Sequence, residues 1–234
     1  MSAIFKREFS AYFSSPVGYV VVAAFMFFSG IFFYVQCLYA GTTNMYYVFQ
    51  NMFSVVIFII PLITMRLFAD DKRQKTDQSL LTAPVSIASI VTAKFLSALA
   101  IFAICLCSYI IEGLVLSFMG QPDWSVILGN VLGMLLMGAA FIAIGIFISS
   151  LTESVLIAAI VSFVVNFLIF LIDTLSSVVS WSFVKAMFNA ASFQSRYNNF
   201  ALGIISFSDV VFFITVTVLF LFLTDRVIEK RRWS

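Results

Sequence analysis

From Phe9 to Met65 the chain carries no Asp, Glu, Lys or Arg, and then Arg66, Asp70, Asp71, Lys72, Arg73, Lys75 and Asp77 fall within 12 positions. A spanning helix needs about 20 apolar residues, and the uncharged run holds two such segments. The contrast points to apolar helices solvated by lipid and joined by short polar segments. Composition agrees. The chain is 62% hydrophobic and 10% charged, where soluble domains carry about 25% charged residues.

Six segments have the required length or nearly so: 17–39, 48–67, 88–118, 125–150, 154–173 and 209–225. The reading is an all-α polytopic membrane protein, with one transmembrane domain over 1–234. The third segment leaves room for an interfacial turn at its start. The last two are short and fit a thinned or funnelled part of the protein. The first apolar run follows Lys6 and Arg7, as a signal peptide would. It is longer than the apolar region of about 7–15 residues that signal peptides carry, so it reads as a retained anchor helix.

Orientation follows from the basic residues. With the N-terminus inside, 11 of the 13 Lys and Arg lie on the inner side, and only Lys185 and Arg196 lie outside. Both termini are then expected to be cytoplasmic, in a bacterial inner membrane. Ahead of the first span, Phe5, Phe9, Tyr12 and Phe13 recur at helical spacing, with Lys6, Arg7, Glu8 and Ser10 on the other face. That pattern predicts an amphipathic helix in the headgroup layer. Ser14-Ser15-Pro16 reads as a cap followed by a first-turn proline.

The fourth span carries Gly129-x-x-x-Gly133 and Ala139-x-x-x-Ala143, spacings that permit close helix approach. They serve either packing within the chain or a subunit contact. The 174–208 stretch mixes Trp181, Phe183, Phe188, Phe193, Tyr197 and Phe200 with Ser, Asn and Gln. Two short re-entrant or interfacial helices on the outer side fit that mixture, with rings at the headgroup level.

Histidine is absent and there are three cysteines. No metal site is expected, and Cys37, Cys105 and Cys107 read as small buried residues. His-dependent zinc and triad hydrolases are excluded. A net charge of +2 gives no nucleic-acid footprint.

A charged hairpin between membrane helices is ordinarily a solvated loop. This one is ordered: Arg66-x-Phe68-Ala-x-Asp71, then Lys75-Thr76-Asp77, then Leu80-Leu81-x-x-Pro84-Val85, then Lys94. Phe68, Leu80 and Leu81 are apolar anchors among charges, and Arg66 can snorkel to the interface. Pro61, just before it, is expected to kink the second span.

This hairpin resembles the coupling segment of ABC-2-type transporter permeases. The six-span layout, the amphipathic N-terminus and the long outer segment before the last span are similar as well. The opening IFKREFSAYFSSPVGYV resembles the branch called gliding-motility-type permeases, a label that does not fix function. One departure matters. The family often has Gly-Thr-Glu where this chain has Lys75-Thr76-Asp77, so the acidic position survives and the glycine does not.

The resemblance implies a permease subunit that pairs with a second permease copy, identical or related, and binds a dimer of ABC ATPase subunits. It implies a cytoplasmic coupling helix at about 68–78, with Arg66, Phe68, Asp70, Asp71, Lys72, Arg73, Thr76, Asp77, Leu80, Leu81 and Pro84 as the coupling set. Asp71 and Asp77 read as exposed loop carboxylates of that contact. No Walker A motif occurs. ATP and Mg are therefore expected on the separate ATPase, and the chain is expected to bind no cofactor and not to be an enzyme.

Glu112 is an acid well inside a predicted span, a functional position by default. It is water-exposed near the outer mouth, or in polar contact with the 174–208 helices, or part of a substrate or proton path. Glu112, Trp181, Phe188, Phe193 and Tyr197 form the candidate outer vestibule. The expected function is ATP-driven movement, by export, of a lipidic, peptidic or other amphipathic molecule. The rival is a non-transporting subunit that passes ATPase motion to an extracytoplasmic auxiliary protein.

Overall fold

Ser15 and Pro16 divide the first two helices where the sequence predicts. In the computed structural model, which describes residues 2–75, 86–178 and 192–232, α1 is Ser2–Ser14 and α2 is Pro16–Phe33. Ser15 is extended, and Pro16 takes the first helical turn, where its missing N–H costs nothing. A Cβ on Gly18 would lie 2.6 Å from the Tyr12 carbonyl oxygen. The elbow closes this tightly only because residue 18 has no side chain.

A π-turn, Tyr34–Leu38, ends α2. There follow α3 (Tyr46–Thr64), α4 (Ala69–Arg73), α5 (Ile87–Met119), α6 (Trp124–Leu151), α7 (Val155–Val178), α8 (Phe193–Ala201) and α9 (Phe207–Arg232). Among the described residues there is no strand. Six helices are long and apolar enough to cross a membrane, so the protein is an all-α polytopic membrane protein.

Two boundaries differ from expectation for one reason. Hydropathy stops at the first charge, whereas helical hydrogen bonding does not. The last span continues to Arg232 through Asp225, Arg226 and Glu229, with an Arg226–Glu229 pair at 2.7 Å one turn apart. The fifth runs on to Val178. Neither helix is short. The third is continuous for 33 residues from Ile87, with no separate turn. At 1.5 Å per residue it is about 50 Å long, well beyond a hydrocarbon core of about 30 Å.

The core is organised around α6, which packs on α3, α5, α7, α8 and α9. Its glycines explain why. A Cβ on Gly133 would lie 2.5 Å from the Phe200 side chain of α8. One on Gly138 would overlap the Phe102 ring of α5, and one on Gly145 would overlap Thr64 of α3. Small residues here serve packing within the chain. By contrast α2, α7 and α9 turn large apolar side chains outward, including Phe27, Leu156 and Val218. Cys37 and Cys105 are buried as expected, but Cys107 lies on the outer face of α5.

Candidate functional site

Helix α3 breaks before α4 begins. Pro61 removes one backbone N–H within its last turns. After Thr64 the chain passes through turns before α4 begins at Ala69. A helix end leaves carbonyls without intrahelical donors, and here three of them are met by side chains from other elements. Tyr12 Oη of α1 donates to the Ile63 carbonyl at 2.7 Å. Ser149 Oγ of α6 donates to the Met65 carbonyl at 3.1 Å. Lys94 Nζ of α5 donates to the Leu67 carbonyl at 2.5 Å.

The start of α4 is satisfied in the same way. Ser149 Oγ accepts from the backbone N–H of Phe68 at 3.2 Å and of Ala69 at 3.1 Å. Lys72 Nζ donates to the Ser150 carbonyl of α6.

Lys94 is the centre of this junction. It is 0% exposed. Its ammonium contacts Asp71 Oδ2 at 2.6 Å and Glu8 Oε1 of α1 at 3.1 Å, and it lies 5.0 Å from the Phe68 ring centroid. Arg7 adds a second cation, 2.5 Å from Glu8. Two cations and two carboxylates therefore neutralise each other locally. Burial, aided by the nearby Glu8 charge, pushes the Tyr12 phenol above its ordinary value, so it stays a donor.

This geometry divides the sequence-predicted hairpin set. Phe68 and Lys72 are buried, and Asp71 is engaged with Lys94. These three hold α4 to the bundle. The expectation of an exposed loop carboxylate therefore fails at Asp71, because a buried ammonium behind it needs a counter-charge. Arg66 and Arg73 are exposed and Asp70 is half-buried. Thr76, Asp77, Leu80, Leu81 and Pro84 lie outside the described residues. Lys75 has φ 57°, the left-handed conformation that favours glycine.

At the other end of the bundle, α8 is a nine-residue helix, too short to span. Its Phe193, Tyr197 and Phe200 are buried against protein. Phe193 packs on Phe141 and Phe213, and Tyr197 on Phe53. Polar contacts fasten the same helix. Tyr46 Oη and Gln50 Nε2 of α3 both donate to Asn198 Oδ1, at 2.8 and 2.7 Å. Arg196 of α8 pairs with Asp209 of α9 at 3.0 Å.

Glu112 lies elsewhere. It is 7% exposed, and its Oε1 accepts from Ser29 Oγ of α2 at 2.5 Å. Its described polar partner is thus a first-span serine and not the helix that holds Phe193 and Tyr197. Trp181 and Phe188 lie outside the described residues.

Residues 2–232 match the family described as ABC-2 family transporter protein. The chain belongs to the ABC-2 transporter family. No curated protein matches it. Within this ABC-2 family member, sequence reasoning missed Glu8, Tyr12 and Ser149 as parts of the junction. It counted Lys94 only as an end charge. An isolated Lys eight positions into a 33-residue apolar helix was the available signal, since a buried ammonium requires partners.

Proposed function

We propose that this chain is the membrane-spanning permease subunit of an ABC transporter, oriented with both termini cytoplasmic. In this reading the α3–α4 junction receives motion from a separate ABC ATPase. The observation that carries it is the Lys94 cluster. α4 is fastened through side chains to α1, α5 and α6, so a push on its exposed face displaces three helices together. Arg73, Gln74 and Lys75 face outward and are the residues offered to the ATPase, continued by the Thr76–Pro84 set.

ATP and Mg belong to the ATPase, which this chain needs because it carries no Walker A motif. A second permease copy completes the transporter. The cargo is a lipidic, peptidic or other amphipathic molecule moved outward. Large apolar faces and few charges within the spans support such a cargo over small ions. The likeness to the gliding-motility-type branch belongs to this reading as well.

The test is co-expression with a candidate ABC ATPase from the same genome, purification of the complex, and ATP-dependent transport in vesicles. Co-purification with transport supports the proposal. ATPase binding and stimulation without movement of any amphipathic cargo would favour the mechanotransmission role. No association with an ABC ATPase would sink both.

A further inference from the structure

Two neighbouring spaces lie at the elbow between α1 and α2. One is a cleft of about 320 Å³, whose charged lining comes from Arg7, Glu8, Arg66, Asp70 and Asp71, with Tyr12 and Ser15 beside them. The other is a purely apolar groove of about 140 Å³ between α2 and α3, lined by Pro16, Val17, Val20, Val21, Leu62 and Met65. Val17 borders both, and Met65 in the groove is followed by Arg66 in the cleft. A polar chamber thus lies next to an apolar slot beside the amphipathic helix.

The charges in the chamber are not equivalent. Glu8 and Asp71 are occupied by the buried Lys94, and Arg7 lies against Glu8. Among the described residues Asp70 has only a long side-chain contact with Arg73, 3.8 Å, and its side chain is 31% exposed. Arg66 is exposed and has no carboxylate partner among the described residues. With Lys94 included, three cations face three carboxylates. An anionic headgroup gains little from such a neutral site. A headgroup carrying both a phosphate and a primary ammonium matches it, with phosphate on the guanidinium fork of Arg66 and ammonium on Asp70.

We propose that this cleft and groove form a binding site for one phospholipid with a phosphoethanolamine headgroup, one acyl chain lying between α2 and α3. The binding claim does not depend on the function proposed above. A lipid seated there touches α1, α2 and the α3–α4 turn at once, and would brace the elbow against the junction.

The test uses the full chain in detergent micelles doped in turn with phosphatidylethanolamine, phosphatidylglycerol and phosphatidylcholine, read by native mass spectrometry. The wild type should retain one phosphatidylethanolamine per chain in preference to the other two. Arg66→Gln should lower that retention about tenfold, the loss expected for one charge-assisted contact. Val20→Trp changes an exposed groove residue without touching the junction, and should displace the lipid even where Arg66→Gln perturbs folding. Ile111→Trp, at an exposed position on α5, should leave retention unchanged. Equal retention of the three lipids, preference for phosphatidylglycerol, or full retention by Val20→Trp would overturn the proposal.

Discussion

Lys94 Nζ lies 2.6 Å from Asp71 Oδ2, and the lysine side chain is only 1% exposed. One contact therefore ties the middle of the charged segment to a buried point on the longest helix, and through Glu8 to the N-terminal helix. Such a cluster is weak evidence for net stability, since an apolar replacement of the whole set can serve as well. Removing one member is costly, about 3–5 kcal/mol. Lys94→Met should therefore lower the thermal unfolding midpoint sharply, and Lys94→Met combined with Glu8→Gln and Asp71→Asn should recover much of the loss. Thermal unfolding in detergent reads this directly. A Lys94→Met protein as stable as wild type would remove the lysine from its central place.

Tyr12 gives a pH-dependent counterpart. Its phenol is buried and satisfies the Ile63 carbonyl, so Tyr12→Phe should cost about 1–3 kcal/mol by leaving that carbonyl unpaired. Burial raises the folded pKa above the free value. The protonated phenol is thus favoured in the folded state, and its contribution is complete below the unfolded pKa of about 10 and declines as pH rises beyond it. Denaturation curves at rising alkaline pH should show wild-type stability falling toward that of Tyr12→Phe. A constant gap between the two proteins would contradict the assignment.

The glycines of α6 give a prediction with its own control. Gly133→Val and Gly138→Val drive a branched side chain into Phe200 and Phe102, and overpacking of this kind costs about 1–3 kcal/mol or more. Gly30 of α2 has nothing within 4 Å of its Cβ position, so Gly30→Val should stay within about 0.5 kcal/mol of wild type. Size-exclusion profiles after heating should separate the two classes. Monodisperse Gly138→Val protein would show that α5 and α6 do not approach as described.

Glu112 and Ser29 form a buried pair across α2 and α5. Glu112→Gln keeps an acceptor oxygen for the serine and should be nearly silent in assembly and transport. Glu112→Leu removes it, and should loosen the packing of α2 measured by limited proteolysis. A fully assembled Glu112→Gln protein that has lost transport would show that the charge itself is used.

The spans were legible because a bilayer imposes one length scale on every apolar helix. The charged hairpin was legible because charges are scarce elsewhere. The junction was not, for a physical reason. Lys94, Glu8 and Asp71 are far apart in sequence, and each alone reads as an ordinary surface charge near a helix end. Only the crossing of α1 and α5 makes them one cluster. Ser149 was hidden in the same way, because a serine in an apolar helix usually bonds its own backbone, whereas this one bridges a break in α3. The aromatics of α8 were correctly seen as unusual for a loop. Their direction was not legible, since periodicity does not say whether a short amphipathic helix faces lipid or protein.

The central claim is that the outward face of α4 meets an ABC ATPase. It is tested most directly by cysteine cross-linking in membranes that contain both proteins. With Cys37, Cys105 and Cys107 replaced, one cysteine goes at Arg73, on the exposed side of α4, and another at Gln121, exposed at the far end of the bundle. The account predicts that Arg73→Cys cross-links to the ATPase, with a yield that changes on ATP binding, and that Gln121→Cys does not. Cross-linking from Gln121→Cys with none from Arg73→Cys would contradict both the orientation and the role given to the junction.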